Sequence, residues 1–414
     1  MNKLNKISQT ISECRACGGS LNSNIFNLGY QALTGHFLRQ GKEIDRYNVS
    51  LALCKNKQCE LVQVNERYDI DQLYGDHYGY ESSLNPSMIQ HLSDNINKIE
   101  SKNIIENDDI VIDIGSNDGT SLGIYSNKSL QRIGVDPTAV KFKKHYQDEG
   151  ITLFDEFFPS NSLSKFLGRK KAKVITSFAC FYDLPSPSEF VSEIKKILDI
   201  NGLWCTEQSY LFEMLKTNSF DTMCHEHLEY YSIKSIDFLC ELHDLEIKEV
   251  DFNDINGGSS ILFIGHKESS INRDKNVDKI LKEESLTDLE KAFKIFKQNI
   301  DAQKENTIAL LTELKEKNQT VFGIGASTKG NVLLQYYEID KNLIPEIGEV
   351  NPNKFNCQTP GSEIPIKSEE EILAKNPDYL FILPWHFKNF FLNSEKFKNK
   401  KLIFPLPVLQ IIET

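Results

Sequence analysis

A chain of 414 residues exceeds what one hydrophobic core usually organises, so two or three domains are expected, each able to bury an interior without disulfides. Its 47 basic and 59 acidic residues leave a net charge of -12, which disfavours non-specific attraction to nucleic acid or an anionic membrane. The N-terminus, MNKLNKISQTI, lacks the apolar run of a signal peptide, and LIFPLPVLQII is short and broken by prolines, so a cytoplasmic protein is expected.

Residues 1–75 are turn-rich and punctuated by cysteine. Cys14 and Cys17 form CRACG, and Cys54 and Cys59 form CKNKQC, two knuckles that can supply four thiolates to one tetrahedral zinc. With four protein ligands such a site is closed, so it holds a small domain together and offers no position to activate water. A redox role for CRAC is the weaker reading, because no thioredoxin-like strand and helix surround it.

From about residue 109, strands and helices alternate. DIVIDIG, QRIGVD, GITLF, AKVITSFA and GLWCTEQ mark five parallel strands, and EIKEVDF and SSILFIGH, separated by NDINGG, mark a terminal pair. This order fits the α/β sheet of a class I S-adenosylmethionine (SAM) methyltransferase, and residues 76–268 are assigned to that domain.

VIDIGSNDGTSL sets a glycine-rich loop directly after the first strand, so that Asp113, Gly115, Ser116, Asn117 and Gly119 face the carboxyl edge of the sheet. The loop has two aspartates and no lysine, which suits the ammonium of SAM better than a polyphosphate. Asp136, ending the next strand in IGVDPT, is placed to accept hydrogen bonds from ribose hydroxyls.

FDTMCHEHLEYYS brings His225, Glu226 and His227 together after the fifth strand and its loop. Histidines at i and i+2 do not share a helix face, which excludes the HExxH zinc-protease arrangement. An acid beside two histidines suits a tuned proton-transfer base.

Residues 269–315 read as a helical connector in which Leu286, Leu289, Phe293, Phe296 and Ile300 form one apolar face, with Thr287 and Glu290 as a capping box. TVFGIGAST, IPEIGEV, DYLFILPW and KLIFPLP then restart the strand pattern, giving a smaller C-terminal α/β domain over 316–414.

Taken in order, the cysteine set, YGYESS, DIGSNDGTSL, FDTMCHEHL, NGGSS and GIGASTKGN resemble the nucleotide-sugar carbon-methyltransferases that make branched sugars, such as those of the tylosin and kijanose pathways. The resemblance implies an N-terminal zinc domain, a central SAM domain and a C-terminal Rossmann-like domain that helps hold a sugar nucleotide. It implies that His227 is the catalytic base, supported by Glu226 and His225, and that Tyr78 or Tyr80 reaches into the site. It also implies that Ala326, Ser327 and Lys329 lie near the substrate pyrophosphate, and that the substrate is a nucleotide-linked 4-keto-6-deoxy sugar. The chain departs from the pattern at Cys224 and Cys180, where tyrosine and histidine are usual, and Tyr182, Tyr230 or Tyr231 are the nearby replacements.

Rival readings are methylation at oxygen or nitrogen, a dinucleotide enzyme built on GIGASTKG with Glu349 as ribose acid, and a non-catalytic zinc-anchored binding module. The spacing in GIGASTKG departs from the dinucleotide fingerprint. A binding module leaves unexplained why an acidic cofactor loop and a histidine base share one sheet edge.

Overall fold

The structure is a computed structural model and describes residues 8–39, 44–68, 81–84 and 86–414. Its N-terminal part contains strands β1 (Leu21–Ala32), β2 (Arg46–Cys54) and β3 (Val62–Val64). Helix α1 (Pro86–Ser101) leads into the central domain, where β4 (Ile110–Ile114) is followed by the short helix α2 (Thr120–Ile124). Next come β5 (Gln131–Val135), β6 (Thr152–Phe154), β7 (Ala172–Phe178) and β8 (Leu198–Ser209). After β8 lie α3 (Leu211–Thr217), the two-residue β9 (Glu229–Tyr230), α4 (Ile233–Glu241), β10 (Leu245–Asn253) and β11 (Ser259–His266).

The central sheet has the order β10-β11-β8-β7-β4-β5-β6, with β4 to β8 parallel and β11 antiparallel to both its neighbours, β8 and β10. This is the class I SAM methyltransferase sheet. Every residue of β4, IVIDI, is buried, as a parallel strand covered on both faces requires. Two apolar layers flank the sheet: Ile112, Ile175 and Trp204 face one, and Val111, Val174 and Cys205 the other.

The connector is two helices, α5 (Lys275–Ser285) and α6 (Leu289–Glu316). Leu289, Phe293, Phe296 and Ile300 are buried on one face of α6, as their spacing predicts. Two details differ from the sequence reading. Leu286 is 80% exposed because it lies between the helices, and the cap of α6 is Asp288, whose side chain accepts from Lys291 N, in place of Thr287. The chain turns one residue later than the apolar pattern suggested, and the carboxylate there reaches the free amides of the first turn.

The C-terminal domain contains β12 (Val321–Ile324), α7 (Thr328–Tyr337), β13 (Ile347–Glu349), β14 (Ile366–Ser368), β15 (Tyr379–Ile382), β16 (Lys401–Phe404) and β17 (Gln410–Glu413). Its sheet has the order β14-β13-β12-β15-β16-β17. One continuous core joins this sheet to α6 and to the N-terminal strands: Phe26 of β1 meets Phe296 of α6 at 5.4 Å between ring centroids, and Leu28, Leu51 and Val62 belong to the same cluster as Val332, Leu380 and Ile403. Among the described residues no helix is long and apolar enough to cross a membrane.

Glu284 ties the connector to the central domain, its carboxylate accepting from Ile233 N at 3.0 Å, Lys234 N at 2.7 Å and the Tyr210 hydroxyl at 2.8 Å. Removing that buried acceptor strands three donors. Glu284→Ala is expected to destabilise the protein by about 1–3 kcal/mol, read as a lower Tm, whereas Leu286→Ala leaves Tm unchanged; equal melting of the two variants would contradict the role given to Glu284.

Candidate active site

The four knuckle cysteines converge. Cys14, Cys17, Cys54 and Cys59 place their sulfurs within 4.8 Å of one another, with 3.8 Å between Cys14 and Cys59 and 3.5 Å between Cys17 and Cys54. A tetrahedral zinc with bonds of about 2.3 Å sets its sulfurs about 3.8 Å apart, so the set fits the ion. Glycines allow the knuckle to close: Gly18 has φ 67°, and a Cβ on Gly19 would stand 3.1 Å from the Cys17 sulfur, to which the Gly19 amide donates at 3.4 Å.

The glycine-rich loop after β4 turns through positive φ at Gly115 (72°), Asn117 (47°) and Gly119 (82°). Asp136 secures it: one carboxylate oxygen accepts from Asn117 N at 2.8 Å, and the other from Thr138 N at 2.6 Å and its hydroxyl at 2.7 Å. The Tyr146 hydroxyl lies 2.8 Å from Ser116 Oγ, a closeness that depends on Gly134, where a Cβ would stand 2.6 Å from the Tyr146 ring. Asp113 sits beneath the loop and accepts from the Thr176 hydroxyl at 2.5 Å; burial, with Asp136 and Asp118 nearby, pushes its carboxyl up to about 7. Ser82 N and Ser83 N close the loop from outside by donating to Asn117 Oδ1 at 3.1 Å and Asp118 Oδ2 at 2.8 Å. Tyr78 and Tyr80 lie outside the described residues.

The two histidines of HEH face different neighbours. His225 is fully buried against the N-terminal domain, its ring 4.9 Å from that of Tyr68 and its Nε2 3.4 Å from the Tyr47 carbonyl. His227 is only partly buried and meets the central domain: its Nδ1 lies 2.8 Å from the Thr222 carbonyl, and Tyr182 packs edge-on with 4.5 Å between centroids. Burial lowers both rings to about 4. Burial also raises the Glu226 carboxyl, which lies near Gly35 of the N-terminal domain. Of the three tyrosines considered as replacements, Tyr182 is the one beside His227; Tyr231 stacks on Phe181 and Tyr230 joins the core. Cys180 lies against the cofactor loop, its sulfur 3.3 Å from the Ile114 carbonyl.

The C-terminal domain brings Lys329 toward this edge. Its ammonium donates to the Asn256 carbonyl, and its charge lowers His227 further after burial. Ser327 caps α7 by accepting from Gly330 N at 3.0 Å, and the Ala326 carbonyl accepts from Lys354 Nζ at 2.9 Å. Lys354 also lies 3.6 Å from Glu349, whose carboxylate accepts from Val350 N and Asn351 N. The acid that would serve a dinucleotide ribose is thus engaged with its own loop and a lysine.

Several residues at the site escaped the sequence reading. Asp221, four residues before His225, is buried and accepts from Trp385 Nε1 at 2.7 Å, joining the two domains. Gln208 is buried at the carboxyl end of β8 with both amide atoms unpartnered. Arg15, between the first two cysteines, donates to the Val64 and Glu66 carbonyls and lies 3.7 Å from buried Glu229. A lone charge inside CxxC was the available signal. Because β3 follows Cys59 and pairs with β9, directly after HEH, metal loss is expected to loosen both. Cys54→Ser should lower the metal content from about one zinc per chain and speed amide exchange across residues 225–231; a variant with full metal content and unchanged exchange would refute the linkage.

Three family models match the chain in succession: a zinc binding domain over residues 14–74, a methyltransferase domain over 85–250, and a C-methyltransferase C-terminal domain over 254–407. The chain is 28% identical over 417 aligned positions to C-methyltransferase NovU of Streptomyces niveus, covering 98% of each protein. Among solved structures, an O-methyltransferase family protein from Burkholderia thailandensis matches 45% of this chain and 59% of its own, at 13% identity and TM-score 0.35. A SAM-dependent methyltransferase from Clostridium acetobutylicum matches 43% of this chain and 92% of its own, at 11% identity and TM-score 0.35. With the zinc binding model matched before its SAM-binding sheet and the C-methyltransferase C-terminal model matched after it, the chain is a SAM-dependent methyltransferase.

Proposed function

We propose that the chain is a C-methyltransferase acting on a nucleotide-linked 4-keto-6-deoxy sugar in branched-sugar biosynthesis. The observation that carries this reading is the fixed tautomer of His227. With Nδ1–H donating to the Thr222 carbonyl, Nε2 holds the lone pair, and a ring lowered to about 4 by burial is neutral at physiological pH. It is a base waiting for a proton.

Such a base is what carbon methylation needs. A hydrogen beside a ketone is weakly acidic, so His227 Nε2 removes it while neighbouring donors steady the developing enolate oxygen; Tyr182, whose ring packs against His227, is the candidate for that task. SAM, when bound, supplies a methyl group on a cationic sulfur. Gly115, Ser116, Asn117 and Gly119 would hold it, Asp113 would balance its charge from below, and Asp136, with three of its four lone pairs taken by Asn117 and Thr138, keeps one on Oδ2 for a ribose hydroxyl. Glu226 and His225 steady the loop from the N-terminal side. Ala326, Ser327 and Lys329 would receive the substrate's diphosphate at the N-terminus of α7. In this reading the loop residues answer to the cofactor and the C-terminal residues to the nucleotide.

Mass spectrometry of products formed from SAM and a panel of 4-keto-6-deoxy sugar nucleotides in deuterated water is expected to show one added methyl on a ring carbon. Methyl found on oxygen, without solvent exchange at carbon, would overturn the reading. His227→Ala should lower kcat by about 10²–10⁴-fold while SAM binding stays within about twofold; full turnover would remove the base. Because His227 acts unprotonated and is lowered to about 4, kcat/KM for the sugar nucleotide, measured at saturating SAM so that the Asp113 carboxyl stays ionised, should rise with pH through about 4 and be level across neutrality. A limb in the ordinary histidine range would contradict it.

A further inference from the structure

Glu207, near the carboxyl end of β8, is buried and joins three elements. Its Oε2 lies 2.7 Å from His91 Nε2 and accepts from Asn95 Nδ2 at 3.1 Å, both on α1, while its Oε1 accepts from Asn253 Nδ2 at 2.6 Å at the end of β10. A carboxylate can serve all these partners at once because both its oxygens accept. An amide in its place would turn an NH₂ group toward one set of donors.

The path continues from Asn253. Its own Oδ1 accepts from Ile255 N at 2.9 Å, starting a tight turn in which Asn256 has φ 56° and Gly257 φ 89°. Within the turn Gly257 N donates to the Asp254 carbonyl at 3.2 Å and Gly258 N to that of Ile255 at 3.0 Å. The Asn256 carbonyl, held outward by this turn, accepts from the Lys329 ammonium. One side chain, that of Asn253, and one turn therefore separate the buried carboxylate from the lysine.

We infer that Glu207 is a positioning residue: through Asn253 it fixes the 253–258 turn, and the turn aims Lys329 at the diphosphate of the sugar nucleotide. The inference rests on the diphosphate reading of Lys329 given above. Glu207 itself meets no substrate. Its role is to keep a flexible four-carbon side chain in one pose, so that the binding entropy of ordering it is already spent when substrate arrives.

The test uses the full-length protein with Glu207→Gln, which preserves shape, and Asn253→Ala, at a partly exposed site. Amide exchange across residues 253–259 is expected to speed by roughly tenfold or more in both variants, with exchange in the remaining central sheet unchanged. KM for the sugar nucleotide should rise about tenfold with kcat within about twofold. In a Lys329→Ala background, Asn253→Ala should add nothing further to KM, since the two act in series. Unchanged exchange in the turn, or a KM effect that adds fully to that of Lys329→Ala, overturns the inference. If Lys329→Ala alone leaves KM unchanged, the diphosphate reading falls, and the exchange measurement alone decides whether Glu207 fixes the turn.

Discussion

The candidate site depends on a short antiparallel pairing between two domains. Val62 and Gln63 of β3, just beyond the last zinc-type cysteine, pair with Tyr230 and Glu229 of β9, just beyond HEH. Val64 N donates to the Leu228 carbonyl and Leu228 N to that of Tyr182, so the backbone is secured on both sides of the residue after His227. Without this ladder the segment between α3 and α4 has little regular structure of its own. The cysteine set fixes the far end, because Cys54 N donates to the Leu61 carbonyl immediately before β3. Zinc, when held, thus acts at a distance, through backbone geometry and not through chemistry at the reacting carbon.

Arg15 and Glu229 reinforce the same junction at an energetic cost. A carboxylate this deeply buried has its pKa raised well above the ordinary range, and Arg15 is the charge that opposes that shift. Ion pairs of this kind contribute little net stability against an apolar replacement, but losing one partner strands the other. The arrangement therefore favours one docking of the histidine loop on the N-terminal domain over others.

Much of the fold was legible in the sequence because parallel strands buried on both faces read as uninterrupted apolar runs, and DIVIDIG and AKVITSFA are of that kind. The turn after β4 was legible for a related reason: glycines at 115 and 119 mark positive φ. What local spacing could not convey is direction. His225 and His227, two residues apart, face different domains because the chain between them bends instead of forming a helix. The helix cap moved from Thr287 to Asp288 for a reason visible only once the first turn is drawn. Glu207 and His91 meet across 116 residues, and no period or motif links them. Asp221 and Trp385 are 164 apart.

The core shared by the N-terminal strands, α6 and the C-terminal sheet has a consequence for how the chain is made. Phe26, Leu28 and Leu51 leave the ribosome early, but the side chains that cover them, from Phe296 to Ile403, are synthesised about 245 to 377 residues later. At about 5–20 residues per second, an apolar face near the N-terminus waits on the order of 12–75 seconds for its cover. The central sheet, whose strands all lie between residues 110 and 266, can close in the meantime. Assembly therefore runs from the middle of the chain outward, and the nascent N-terminal segment is the part exposed to chaperones and to misassociation while it waits.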